Sequence, residues 1–295
     1  MGHREQNQPR VRVYLEGRYR KLVRDLPQTV FWCPKCKGHR RRRRKCSYCE
    51  GFGKLTRDSV QELLGWVLGK AFGTRKHKFH GAGREDIDVR MLGSGRPFIL
   101  ELIDPKTQDV DLAESERIIN QRNEGRLEIQ GLHWSEKPRV RVLKEGKHAK
   151  RYAAVVEVEG QLDPETVAEL VGQRIPLAQR TPSRVAHRRA DLVRERWIEV
   201  QEMKPMDDGR WNLVVLAQHG TYVKEAISGE GDKTKPSLGG LLSGVQCSCV
   251  QLDVLGILDE EGENEWAVPT RHPPTSFGSG VDACELSAGP DEPLR

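Results

Sequence analysis

The sequence predicts an α+β fold around a mixed, mostly antiparallel sheet, preceded by a small zinc-binding module. Three observations carry this. Short runs of strong β-formers follow one another through the second half of the chain, at Val140–Leu143, Ala153–Val158, Trp197–Val200, Leu213–Leu216 and Val250–Leu258. Helical patterns there are few, Pro164–Val171 and a short Val223–Ile227, so strands in succession with occasional helices favour α+β over alternating βα units. Near the N-terminus, two Cys-x-x-Cys pairs stand nine residues apart, at Cys33/Cys36 and Cys46/Cys49.

In chain order, residues 1–30 alternate apolar and basic around Val11, Val13 and Tyr14 and then Tyr19 and Leu22, the pattern of a strand or of a fragment of a larger module. The cysteine pairs follow. Residues 57–72 place Val60, Leu63, Leu64, Val67 and Leu68 at helical spacing, with Asp58 or Ser59 as the cap. Residues 98–103, FILELI, read as a buried strand, Glu114–Asn123 as a helix and Leu127–Ile129 as the strand after it. From about Pro269 the chain is rich in Pro, Gly, Ser and acids and reads as a disordered tail. No window approaches the ~18 apolar residues of a membrane span. The N-terminal residues lack an apolar core, so the chain reads as a cytoplasmic protein without a secretory signal. Seven cysteines in 295 residues are too few for a disulfide scaffold. Cys247, Cys249 and Cys284 receive no function.

The formal net charge of +6 hides an uneven distribution. Residues 1–60 carry 17 Lys/Arg against 5 Asp/Glu, and residues 260–295 carry 8 acids against 2 bases. A basic head suggests a polyanion, most simply nucleic acid.

Each Cys-x-x-Cys sets two thiolates on one knuckle, at a separation that a tetrahedral Zn²⁺ spans, and two knuckles make a closed structural site. Cys33, Cys36, Cys46 and Cys49 are therefore expected to hold a structural zinc. The loop between them carries Arg40 to Arg44 and Lys45, a run suited to phosphate contacts, with Arg42 at its middle.

Between Phe79 and Phe98, three acids (Glu85, Asp86, Asp88) and three arginines (Arg84, Arg90, Arg96) are interspersed with glycines. An acid among arginines stays ionised. Such a carboxylate serves as a nucleophile or as a cation ligand, or lies in a surface salt-bridge loop.

This stretch, the block Gln179–Asp191, the block His219–Glu225 with Gly231–Gly239, the cysteine pairs and Gly17–Arg24 together resemble the archaeal and eukaryotic tRNA pseudouridine synthases of the Pus10 family, from about residue 16 to residue 258. The resemblance implies a pseudouridine-synthase-type catalytic domain over residues 56–259, a basic N-terminal segment with the four-cysteine module over 1–55, and an acidic tail over 260–295. It also implies residue roles. Arg84-Glu85-Asp86 matches an Arg-x-Asp motif whose aspartate is catalytic, with Asp88 the competitor two places on. Lys150-Arg151-Tyr152 matches a Lys-x-Tyr motif whose tyrosine packs on the target base. Gly220-Thr-Tyr222-Val-Lys224 resembles a Gly-Thr-Tyr-Ile-Arg motif, which puts Lys224 opposite Asp86 as its ion-pair partner. A lysine there makes a point contact in place of a bidentate fork. Arg180, Arg184, Arg188 and Arg189, with His187, are expected to hold the tRNA backbone, and Arg84 and Tyr222 to contact substrate. The implied reaction isomerises uridine to pseudouridine in the tRNA T-loop, at positions 54 and/or 55, with no redox or organic cofactor, in a monomer.

The family's archaeal members carry a THUMP RNA-binding domain before the cysteines, which the 32 residues preceding Cys33 cannot contain. The sequence leaves open a fragment, a loss, or supply by a second polypeptide. Two other classes compete: a non-catalytic zinc-containing RNA-binding module, since Cys46–Gly53 also resembles the cysteine-rich repeats of DnaJ-type chaperones, and a hydrolase holding Mg²⁺ between Asp86 and Asp88.

Overall fold

A computed structural model describes residues 11–258. The tail, read from the sequence as disordered, lies outside the described residues. The chain forms strand β1 (Arg12–Lys21), the single-turn helix α1 (Arg40–Arg43) within the cysteine module, helix α2 (Val60–Ala71), and strands β2 (Lys76–Gly81) and β3 (Arg90–Ile103). Helix α3 (Leu112–Arg122), strand β4 (Leu127–Ser135), helix α4 (Lys137–Glu145) and strand β5 (Lys150–Glu159) follow. The remainder comprises α5 (Pro164–Leu170), β6 (Arg174–Arg180), a 3-10 turn (Ser183–Arg188), β7 (Val193–Pro205), β8 (Trp211–Ala217), α6 (Val223–Ser228), β9 (Thr234–Lys235), α7 (Leu238–Leu241) and β10 (Gln246–Ile257).

The strands make one sheet in the order β4-β1-β3-β10-β5-β8-β7-β6-β9, with β2 also on β3. Among the described residues, β3 and β10 are the strand pair that runs parallel, matching Arg90 with Asp253 and Met91 with Val254; every other strand pair is antiparallel. This seam joins two antiparallel halves. Gly93 makes it possible: at φ +56, a Cβ there would lie 1.7 Å from the Leu255 carbonyl oxygen of β10. Only glycine combines that backbone with that approach. Arg90 reinforces the seam with a two-pronged contact to Asp253, at 3.0 and 2.6 Å.

Helix α2 covers the first half. Ser59 is its cap: its hydroxyl accepts from the Glu62 backbone N–H at 3.2 Å and donates to the Glu62 carboxylate at 2.8 Å. Val60, Leu63, Leu64, Val67 and Leu68 are buried against the sheet. Burial of each such side chain contributes about 1.5–3 kcal/mol relative to exposure.

The structure corrects three expectations. Val140–Leu143 is not a strand but the middle of α4, with Pro138 in its first turn and Leu143 packed on Tyr14 and Ile99. Pro fits that position because its missing N–H has no helical acceptor there. Strand β3 begins eight residues before FILELI. And β1, grouped by the sequence with the cysteine module, is an interior strand between β3 and β4. The module itself is the excursion between Trp32 and Lys54, which pair as an isolated antiparallel bridge. Two cations of the basic head, Arg18 and Lys21, are consequently buried in the sheet rather than displayed.

Candidate active site

A cavity of about 510 Å³ opens where the loop between β2 and β3 meets the 3-10 turn and the loop leading into α6. Its floor is the sheet itself: Tyr152 on β5, cross-paired with Val254 on β10 and Val215 on β8. Asp86 and Arg84 line it from the first half of the sheet, and Arg184, Thr221 and Tyr222 from the second. The cavity thus straddles the parallel seam.

The loop carrying Asp86 is fixed from below by a buried polar network. Glu85 points inward, away from its neighbours Arg84 and Asp86. Its carboxylate accepts from the Tyr19 hydroxyl at 2.8 and 2.9 Å and lies 2.8 Å from Arg96 Nε. Arg96 Nη1 donates to the Ala82 carbonyl at 2.6 Å. Gln28 Nε2 donates both to the Tyr19 oxygen at 2.9 Å and to the Gly83 carbonyl at 3.0 Å. Burial pushes the Tyr19 phenol up and Glu85 adds to the rise, so the hydroxyl remains a donor. Lys21 completes the support. Its ammonium donates to the carbonyls of Leu26, Asp86 and Ile87 at 2.9, 3.1 and 3.1 Å. Burial lowers its pKa to about 8, against the opposing pull of Glu85 and Asp88.

The ion pairs differ from those the sequence implied. Lys224 does not reach Asp86; its ammonium lies 2.6 Å from Asp88 Oδ2. Burial alone would raise the Asp88 carboxyl, but the Lys224 hydrogen bond and charge outweigh it and hold it below the usual range. Arg184 takes the expected place, with Nη1 2.5 Å from Asp86 Oδ2. Its other edge is anchored on the buried Glu225, Nε to Oε1 at 2.5 Å and Nη2 to Oε2 at 3.2 Å. The reason is topological. Lys224 sits at the start of α6 and faces the Asp88 end of the loop, whereas the 3-10 turn lays Arg184 across Asp86 and Tyr222. The guanidinium carbon is 5.9 Å from the Tyr222 ring centre.

Of the other arginines singled out, Arg180 is held by Asp191, with contacts down to 2.6 Å, and does not line the cavity, whereas Arg189 does. Arg188 closes the 3-10 turn. Arg42 lies in α1 of the cysteine module. Sequence reasoning missed Lys150, Arg194, Arg196 and Thr221, which also line the cavity. Lys150 belongs to the Lys-x-Tyr motif, and Arg194 and Arg196, two apart on β7, share one face by strand periodicity. In all, seven Lys/Arg side chains line the cavity against Glu85 and Asp86. Arg196 Nε and Thr221 Oγ1 are buried there without a hydrogen-bond partner among the described residues. Burial, with Arg96 opposing, pushes the Tyr152 phenol up to about 12. Burial and then Arg96 bring Lys150 down to about 8.

The four cysteines converge as the spacing required. All four sulfurs lie within 4.8 Å of one another, with Cys33–Cys46 at 3.8 Å and Cys36–Cys49 at 3.7 Å. A tetrahedral ion with metal–sulfur bonds of about 2.3 Å has sulfur–sulfur edges of about 3.8 Å, so the cluster fits one metal ion. The Gly53 N–H donates to Cys49 Sγ at 3.1 Å, a supporting bond of the kind that orients metal ligands. Among the described residues no helix is long and apolar enough to cross a membrane.

Comparison with known proteins places this arrangement. The family model described as "Pus10, C-terminal" matches residues 14–258. A tRNA pseudouridine synthase Pus10 from Methanopyrus kandleri is 42% identical over 255 residues, covering 85% of this chain and 57% of that protein. That of Korarchaeum cryptofilum is 41% identical over 251 residues, covering 84% and 66%. That of Methanothermobacter marburgensis is 44% identical over 248 residues, covering 83% and 60%. The aligned part therefore spans between 57 and 66% of the length of these relatives.

Proposed function

Because this chain belongs to the Pus10 family, whose C-terminal model covers residues 14–258, we propose that it is a tRNA pseudouridine synthase acting on uridines 54 and/or 55 of the T-loop. One observation supports this most: Asp86 and Tyr152, 66 positions apart in sequence, line a single cavity rich in cations and large enough for a nucleotide.

The reaction breaks the N1–C1′ bond, rotates the detached uracil and joins its C5 to C1′. The proton on C5 leaves and N1, which carries none in uridine, gains one, so atoms and charge balance without a co-reactant. The target uridine must leave its stack to enter the cavity. There the Tyr152 ring offers a face for the base, and its phenol stays protonated at neutral pH. The Asp86 carboxylate either attacks C1′ or takes the C2′ proton to give a glycal. Arg184 orients Asp86 and is itself aimed by Glu225; Arg184 thus takes the part that the family resemblance implies for Lys224. Lys224 instead fixes Asp88, at the far end of the same loop. Arg84, Arg189, Arg194, Arg196 and Lys150 face the flanking phosphates. The test is to incubate the protein with an unmodified tRNA transcript and map pseudouridine by carbodiimide modification and primer extension. Pseudouridine is expected in the T-loop; none anywhere in the transcript would overturn the reading.

The Lys150 position carries a pH dependence. With its pKa near 8, raising the pH through that value removes a cation from the cavity, so tRNA affinity should fall between neutral pH and pH 9. In Lys150→Gln that part of the profile should be flat. A wild-type profile unchanged by the substitution would exclude Lys150 as its source.

The cysteine cluster we assign to one structural zinc, on the sulfur spacing and the all-thiolate donor set. Zinc would close the fold of the module and take no part in chemistry. Purified protein should contain one zinc per chain. Cys36→Ser should lose most of it and make the module, but not the sheet, sensitive to protease. Full retention of zinc in that variant would contradict the assignment.

A further inference from the structure

The cysteine module combines rigid exposed aromatic rings with a nearly pure positive charge. From Phe31 to Leu55 it holds nine Lys/Arg and one acid. Trp32, Tyr48 and Phe52 are 54, 52 and 52% exposed. An isolated exposed aromatic is ordinary; three on one small module are not. Nor are they loosely held. The Trp32 ring lies against Gly38, where an added Cβ would come within 2.3 Å of it, so the ring is braced by main chain. Trp32 is also locked in the bridge to Lys54. Lys35 lies 5.3 Å from the Tyr48 ring centre and Lys54 5.5 Å from that of Phe52, so each of these rings already carries a cation beside it. Tyr48 and Phe52 flank one shallow groove.

We propose that this face is a stacking platform for unpaired RNA nucleotides, with bases on Trp32, Tyr48 and Phe52 and phosphates on Arg40–Arg44. Aromatic faces with interspersed cations are what single-stranded nucleic acid uses: every base has a π-face to stack, and the cations track the backbone. A duplex hides its base faces and would leave these rings without a partner. Position supports the same reading. The module begins at Phe31, three residues after Gln28, which holds the Gly83 rim of the cavity. Three residues of chain reach at most about 11 Å. The root of the module therefore lies close to the cavity rim, and a strand running from the platform toward that rim would present the unpaired segment from which the target is taken. This goes beyond the arginine run, which grips any phosphate, and rests on the reading that the substrate is RNA.

The test uses the full chain and three probes: a short oligouridine strand, an RNA hairpin stem of equal charge and the tRNA transcript. Tyr48→Ala, Phe52→Ala and Trp32→Ala are compared with Arg42→Ser, with zinc content measured for each. Tyr48→Ala and Phe52→Ala carry the result, since their rings do not brace the module as Trp32 does. Each should weaken oligouridine binding about tenfold. The slope of log affinity against log salt should stay unchanged, because no phosphate contact is lost, and hairpin binding should stay within about twofold. Arg42→Ser should instead flatten the slope on both probes. If both aromatic variants bind oligouridine as wild type does with zinc intact, or lose hairpin binding equally, the platform is refuted while the synthase reading stands. If wild type binds none of the three RNAs, the RNA reading itself fails and the platform with it. An unchanged RNA affinity with an exposed platform would leave a protein partner as its occupant, which also overturns the proposal.

Discussion

Glu85→Ala should cost about 3–5 kcal/mol of folding stability, the largest effect expected of any single substitution outside the hydrophobic core. The pair it breaks is among the most enclosed in the molecule, with the Arg96 and Glu85 side chains 2% and 1% exposed. Without the carboxylate, the Arg96 charge remains in the interior with a carbonyl for company, and the Tyr19 hydroxyl loses both acceptors. A buried charge stripped of its partner costs more than the intact pair contributes, because the desolvation is no longer offset. Against a total stability of about 5–15 kcal/mol, this leaves a marginal protein. A chain of this size should melt about 6–20 °C lower. Glu85→Gln should behave similarly: its amide can still accept from Tyr19 but cannot neutralise Arg96. The double variant Glu85→Ala/Arg96→Met should recover part of the loss, since both charges are then gone. A melting temperature for Glu85→Ala within a degree or two of wild type would show that the network does not hold the loop.

Asp86→Asn should leave the fold intact and reduce pseudouridine formation by about 10⁴-fold or more. The fold should survive because Arg184 keeps its anchor on Glu225 when its contact to Asp86 weakens. Affinity for tRNA should hold or improve slightly, since the substitution removes a negative charge from a cavity lined by seven cations. The rate should collapse because an amide can neither attack C1′ nor accept a proton from C2′. Arg184→Lys should give an intermediate result, losing rate by positioning: a lysine cannot bridge Asp86 and Glu225 at once as the planar guanidinium does.

Much of this site was legible in the sequence, and the illegible part has a common cause. Asp86, Tyr152, Arg184 and Tyr222 were each picked out within a local motif, and they meet because those motifs fall on strands or loops gathered around one seam. Which carboxylate meets which cation was not legible. The sequence pattern matched Lys224 to Asp86, but the meeting is set by how the loops of two sheet halves interlock, and that places Lys224 on Asp88 and Arg184 on Asp86. The role of Glu85 was hidden for the same reason: nothing local distinguishes an acid that faces inward from its exposed neighbours. Charge also misled on β1, where Arg18 and Lys21 serve carbonyls of the interior. The first half of β3 was obscured by Gly93, Gly95 and Pro97, residues that weaken a strand signal; the two glycines are needed here for close backbone approach. In Val140–Leu143, four residues were too short to separate a period of 2 from one of 3.6, and Pro138 was the better guide.

The central claim is that the Asp86 carboxylate performs the isomerisation and Asp88 does not. Single-turnover pseudouridine formation on an unmodified tRNA transcript, with Mg²⁺ chelated at the chemical step and with wild type, Asp86→Asn and Asp88→Asn compared at saturating enzyme, tests it most directly. The account predicts turnover by wild type, none measurable by Asp86→Asn, and a rate for Asp88→Asn within about tenfold of wild type, the cost of one lost partner for Lys224. An active Asp86→Asn beside an inactive Asp88→Asn, or turnover that requires the metal, would contradict it.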